Sequence, residues 1–208
     1  HITTAGGRAE APQVILATGG YTGPLVGRLR RAMQPIATYV MVSEDAPDLI
    51  ARAIRTRMAL SDSRRAGDYY RLVDGGRRLM WGGRITTRAA SPAGIVRQLR
   101  REMLSAYPQL EGLKTELAWS GLMAYARHLM PQIGTLGPGV WHATSFGGHG
   151  LNTTAIGGRV VAEAALGESD RIRAFAPFGL VWAGGEVGRL AVQLTYWKLQ
   201  AQDWWSER

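Results

Sequence analysis

The feature that most limits how this chain can fold is a β-like run, Gly139-Val140-Trp141-His142-Ala143-Thr144, followed by Gly147-Gly148-His149-Gly150-Leu151-Asn152-Thr153-Thr154 and a small-residue helix from Ala155 to Leu166, closed by Gly167. Glycine has no Cβ to hold a ligand off, and the free N–H groups of a helix start favour anionic or carbonyl oxygen. Strand, glycine loop and helix in that order therefore suit a ligand that meets backbone. The spacing is not that of the dinucleotide fingerprint with its downstream acidic residue, and no P-loop occurs. Read from spacing alone, the segment fits either a ligand loop or an ordinary glycine turn.

A second β run, Gln13 to Ala17, ends abruptly at Thr18-Gly19-Gly20 and needs neighbours to bury both of its faces. Before it, Ala5-Gly6-Gly7-Arg8 reads as the turn of a hairpin arm. Further on, the residues predict a β-rich run from Gln34 to Val42 and a short helix over Asp48 to Met58, with apolar spacing at Leu49, Ile50, Ala53 and Ile54. A hairpin follows, Tyr69 to Val73 and Arg78 to Gly83 joined by Asp74-Gly75-Gly76. Ser91-Pro92 opens a helix through Tyr107 that Pro108 stops. Thr115 to Gly121 reads as a strand, and the stretch around Pro131 as a polar and aromatic connector. The closing aromatics Tyr196, Trp197, Trp204 and Trp205 suit anchors of a docked helix better than a substrate cage. The fold class is mixed α/β.

Several function classes drop out on composition. The net charge of +9 is nearly all arginine, since Lys114 and Lys198 are the two lysines, and the arginines stand singly or in pairs. That reads as a solvated basic surface with half-buried ion pairs rather than a nucleic-acid site. No stretch approaches the roughly 18 apolar residues of a membrane span. With no cysteine, disulfides, thiolate metal sites and a cysteinyl cofactor link are excluded, which fits the cytoplasm. The histidines His1, His128, His142 and His149 lack metal-ligand spacing, so no metal is expected. His142 reads as core. His149 is placed to bond a cofactor, to act as acid or base, or to be satisfied by backbone. Tyr70 and Arg71 alternate in one strand, so one of them, with Tyr70 the candidate, lines a substrate pocket or packs the sheet.

Together these segments resemble one family, the FAD-dependent oxidoreductases of the D-amino-acid oxidase superfamily, in its C-terminal half, and most of all the γ-glutamylputrescine oxidase group. The landmarks run in order: Val14-Ile15-Leu16-Ala17-Thr18-Gly19-Gly20-Tyr21, Pro35 with Ser43-Glu44, Tyr69-Tyr70-Arg71-Leu72, Leu79-Met80-Trp81-Gly82-Gly83-Arg84, Tyr107-Pro108-Gln109-Leu110, Trp119-Ser120-Gly121, Pro131-Gln132-Ile133-Gly134 and Gly148-His149-Gly150 with Ala155, Gly158 and Ala162-Glu163. Phe175-Ala176-Pro177 and the aromatic tail resemble the same group.

The resemblance implies part of an FAD-binding domain plus a substrate domain with an antiparallel or mixed sheet and flanking helices. Residues 1–33 and 122–168 would belong to the FAD domain, 34–121 to the substrate domain and 169–208 to a C-terminal docking segment. Thr18 and Gly19 would lie beside a non-covalent FAD, Gly121 near the flavin edge, and Gly148, His149, Gly150, Leu151 and Asn152 would present N–H groups to the ring carbonyls. The implied reaction is oxidation of a small-molecule amine or amino acid at its C–N bond, by hydride transfer to flavin with dioxygen as acceptor. The rival is a cofactor-free structural partner. Met123 stands where glycine and D-amino-acid oxidases carry the arginine for a substrate carboxylate, which favours an amine and makes Met123 a candidate substrate contact. Asn152 stands where sarcosine oxidases carry a lysine. No catalytic acid or base is assigned. The glycine fingerprint for the ADP part of FAD is missing from these residues, so a preceding FAD-domain segment or a second chain is expected to supply it.

Overall fold

The computed structural model describes residues 1–87 and 91–206. Residues 88–90 of the expected substrate domain and 207–208 of the expected docking segment lie outside the described residues. In chain order the elements are β1 (Ile2–Thr4), β2 (Gly7–Ala9), β3 (Val14–Leu16), α1 (Gly27–Arg31), β4 (Met33–Ser43), α2 (Pro47–Ala51), β5 (Leu60–Ser61), β6 (Tyr69–Val73) and β7 (Arg78–Thr86). They continue as α3 (Pro92–Ala106), β8 (Thr115–Ala126), β9 (Gln132–Gly137), β10 (Val140–Thr144), α4 (Gly150–Leu166) and α5 (Gly185–Ser206). The fold class is mixed α/β, as the sequence implies. Among the described residues, no helix is long and apolar enough to cross a membrane. The chain forms two compact units, one from His1–Pro35 with Met123–Gly188, the other from Ile36–Leu122 with Arg189–Arg208. The stretch 169–208 is thus shared between them.

In the first unit the sheet order is β3-β10-β9. β3 and β10 run parallel, Val14 opposite Val140 and Leu16 opposite His142, while β9 pairs antiparallel with β10. Alternation along β10 sends Trp141 and Ala143 to one face, where they pack with Ile133, Val160 and Val161 under α4. On another side Leu29 of α1, Met33 and Ala124 gather Leu16, Leu136 and Leu180. Val14-Ile15-Leu16 is an unbroken apolar run, yet among the described residues only one face of β3 is packed: Leu16 meets the core while Ile15 is half exposed.

β9 is a strand where a connector was expected. Its glycines, Gly134 and Gly137, weaken the alternation, yet Ile133 is buried and Gln132 to Gly137 find partners along β10. Two further boundaries move. α4 starts at Gly150, five residues ahead of the expected start at Ala155, because the Thr153 and Thr154 hydroxyls donate to the carbonyls of His149 and Gly150 and tolerate helix there. α2 is far shorter than the expected 48–58: one turn and the Ile54 N–H to Ile50 carbonyl bond already bury Ile50 and Ile54.

The second unit is built on a five-stranded sheet, β5-β6-β7-β4-β8. Ala37, Tyr39 and Met41 alternate inward on β4, Leu79 and Trp81 on β7. Against them α3 lays Ile95, Leu99 and Met103, one residue every four. Pro92 at the first helical position accounts for α3 beginning after Ser91, and Tyr107 ends it with its N–H on the Met103 carbonyl. The hairpin between β6 and β7 forms as its Asp-Gly-Gly turn predicts, Gly75 and Gly76 both at positive φ.

The half-buried ion pairs expected from the arginines collect in this unit. Arg64 donates to Asp62, Asp68 and Glu102, and Arg84 donates to Glu102. Arg64, Asp68, Arg84 and Glu102 line a cavity of about 350 Å³ with Arg101 of α3 and with Asp203 and Trp204 of α5. Asp203 also accepts the backbone N–H groups of Arg65 and Ala66, at 3.2 and 3.0 Å. Burial raises the Asp68 carboxyl to about 6, against the pull of Arg64 downward.

Two outcomes follow. Leu99→Ala empties a site with no solvent exposure and should cost about 2–5 kcal/mol in denaturant unfolding. A raised Asp68 pKa means this group stabilises the fold below its unfolded value near 4 and loses that contribution as pH rises through about 6. Asp68→Asn should therefore gain stability relative to the parent by about 2 kcal/mol between pH 4 and 7, read from unfolding curves of both proteins across that range.

Candidate functional site

Because β3 and β10 are adjacent and parallel, both release their chains at the same end of the sheet. From β3 come Thr18 and Gly19; from β10 come Ser145 to Asn152. Crevices outside the carboxyl ends of parallel strands are where α/β sheets bind their ligands. The structure thus brings together two segments more than a hundred residues apart that the sequence nominated separately.

The first turn is locked by hydroxyls. Thr18 Oγ1 and Thr22 Oγ1 lie 2.6 Å apart, and Thr22 Oγ1 donates to the Gly19 carbonyl at 2.8 Å. Gly19 takes φ 52°, the left-handed region glycine favours, and a Cβ there would meet nothing within 4 Å. Its glycine is required by backbone shape, and the space above it is open.

In the second turn the demand for glycine has another source. Gly147, at φ 59°, would drive a Cβ to 2.8 Å from the ring of Tyr125, and a Cβ on Gly148 would meet the Tyr125 hydroxyl at 3.1 Å and Met123 Sδ at 3.9 Å. Tyr125, bridged antiparallel to Phe146, lies against the loop from β8. Burial raises its phenol pKa, while a hydrogen bond from the Gly148 N–H opposes the rise. The Tyr125 hydroxyl and the Met123 sulfur thus lie beside Gly148. The sequence reading missed Tyr125; only its two-residue spacing from Met123 along one strand face hinted at it.

Past the loop, α4 begins with its donors uncovered. His149 occupies the N-cap without a side-chain cap bond, and the threonine hydroxyls of the first turn bond backward to carbonyls. The first N–H groups of a helix have no partner inside it. Gly150, Leu151 and Asn152 therefore carry the open donors. Leu151 is 98% exposed and Asn152 is exposed as well. His149 is exposed, its N–H on the Phe146 carbonyl at 3.3 Å.

An FAD ring edge, with carbonyl oxygens and a charge that turns negative on reduction, fits donors of this kind at a helix start. His142, by contrast, is core: it is buried, its Nδ1 is 3.2 Å from the Gln132 carbonyl, and burial lowers its pKa. Among the described residues no three His, Asp or Glu gather as metal ligands.

The remaining candidates belong to the second unit. Gly121 is half-buried in β8. Tyr70 stacks on Trp81 with ring centroids 4.1 Å apart and shares a 2.9 Å hydroxyl contact with Tyr107. Its ring packs the edge of the core.

A parallel pair whose two glycine turns leave at the same end beside an uncapped helix start is an α/β half-sheet with open backbone donors. The sequence profile described as FAD dependent oxidoreductase matches residues 1–164. The chain belongs to that family, whose members use FAD and are oxidoreductases. It is 32% identical over 177 residues to the gamma-glutamylputrescine oxidoreductase of Escherichia coli, covering 84% of this chain and 41% of that protein. It is 30% identical over 179 residues to a probable oxidoreductase, OrdL, of Haemophilus influenzae, covering 84% and 40%. Among solved structures it is similar to glycine oxidase from Geobacillus kaustophilus, with TM-score 0.67, 22% identity, and coverage of 85% and 47%. The chain thus spans about 40% of the length of the curated relatives it matches.

Gly147→Ala should lower stability by about 1–3 kcal/mol through left-handed strain and collision with Tyr125. In a Tyr125→Ala background the same substitution should cost only the strain, and a thermal-unfolding double-mutant cycle reads the difference.

Proposed function

We propose that this chain serves FAD-dependent oxidation of an amine at a C–N bond, with Thr18, Gly19, Gly150, Leu151 and Asn152 at the flavin. The observation that carries the reading is the pair of glycine turns leaving adjacent parallel strands beside an uncapped helix start. The amine class is supported by the name of the Escherichia coli relative and by Met123, an uncharged side chain beside the Gly148 turn. A bound FAD would supply the two-electron oxidation of the C–N bond, with dioxygen as the acceptor of those two electrons and of two protons to give hydrogen peroxide, and water would hydrolyse the resulting imine to a carbonyl and an amine or ammonia.

The chain's own groups bind and orient. The first-turn donors and the positive end of α4 favour oxygen with growing negative charge, and so raise the tendency of the ring to accept electrons. Tyr125 fixes the loop that aims them. Gly121 and Tyr70 are proposed at the flavin edge and the substrate pocket respectively. The ADP fingerprint, absent from these 208 residues, would come from a further FAD-domain segment or a second chain.

Asn152→Asp separates flavin binding from folding. A carboxylate in the first turn should stabilise the helix itself by about 0.5 kcal/mol, yet repel flavin oxygen and weaken FAD binding about tenfold. The measurement is flavin absorbance retained on dialysis of the protein together with whatever polypeptide supplies the fingerprint, followed by amine-dependent peroxide release. Equal retention by parent and variant would sink the placement.

A further inference from the structure

A second cleft, of about 420 Å³, lies in the first unit between the last turn of α1 and the extended segment after residue 179, lined by Arg28, Arg31, Ala32, Leu180 and Trp182. None of these residues belongs to the two turns described above. Arg28 and Arg31 stand three apart on one helix face, both exposed. The carboxylates of this unit that form ion pairs are engaged elsewhere: Glu10 faces His1, Glu163 faces Arg159 and Arg171, and Asp170 faces Arg173. Among the described residues, no ion pair includes Arg28 or Arg31. Arg28 is close enough to buried His142 to depress its pKa, after the larger effect of burial.

The walls are held rigid by the backbone. Ala183 N–H donates to the Arg31 carbonyl at 2.8 Å, and the Gln132 side chain, with no solvent exposure, donates to the carbonyls of Ala32 and Gly179, each at 3.2 Å. Ser145 Oγ in turn donates to Gln132 Oε1 at 2.8 Å. A buried amide thus clamps both sides of the cleft. On its rim the indole of Trp182 is 59% exposed, a flat apolar surface of a kind that stacks on rings.

We propose that this cleft binds a planar-ring anion, whose charged head is held by Arg28 and Arg31 and whose ring lies on Trp182 and Leu180. Guanidinium forks match phosphate and carboxylate oxygens in pairs, and the volume suits a ligand of mononucleotide or aryl-acid size. A nucleoside monophosphate and an aromatic carboxylate share that chemistry, and the two are separable by experiment.

The test is calorimetric titration of the 208-residue chain with AMP, naphthoate, adenosine and inorganic phosphate. One-to-one binding of AMP or naphthoate is expected, with adenosine and phosphate at least tenfold weaker. A tenfold preference for AMP names the nucleotide source, the reverse preference the aryl acid. Arg28→Ala/Arg31→Ala should lose at least tenfold, Trp182→Leu several-fold, and Asn152→Asp nothing. If circular dichroism shows the double variant misfolded, Trp182→Leu decides. Phosphate as tight as AMP, affinity indifferent to a folded arginine variant or to Trp182→Leu, or loss in Asn152→Asp would each overturn the proposal.

Discussion

Everything in the first unit hangs on one pairing: β3 against β10, in parallel, across more than a hundred residues of intervening chain. A parallel partner cannot be reached by a tight turn, so the chain must leave, build other structure and return. Once it returns, strand direction fixes that both turns emerge at the same end. The site is a consequence of that direction. It also sets an order on folding, because Val14 to Leu16 gain their partner only after residue 142 exists, and long-range pairing of this kind is slow to form.

Much of this was legible in the residues. Thr18-Gly19-Gly20 and Gly147 to Gly150 mark their turns without ambiguity, and Asp74-Gly75-Gly76 marks the hairpin, because left-handed backbone leaves few other choices. What stayed hidden depends on partners. β9 is written with glycines that erase its alternation, so only β10 beside it reveals a strand. The glycines at 147 and 148 looked like room for a ligand, whereas much of that room is filled by Tyr125, whose proximity no local spacing could show. Landmark order along the chain carried the family where single motifs did not.

Charge is used differently in the two units. In the second, Arg64 and Arg84 are spent on Asp62, Asp68 and Glu102, with Asp68 nearly excluded from water. Such half-buried pairs add little net energy, and they stand at the point where Asp203 draws α5 onto the backbone of Arg65 and Ala66. In the first, Arg28 and Arg31 are left to solvent. The same residue type, scattered through the sequence, thus serves as internal rivet in one place and as open cation in another.

The hairpin of β6 and β7 carries one more consequence. Gly82 lies under the ring of Tyr69, and Gly83 under the carboxylate of Asp68, each so close that no side chain would fit beneath. Only these two adjacent positions of β7 can receive those groups. Were the strands to slide by one residue, Trp81 or Arg84 would have to occupy a space shaped for hydrogen, and the apolar face would turn outward. The two glycines therefore act as a ratchet against misaligned strands, guarding the alignment of the sheet while adding no contact of their own.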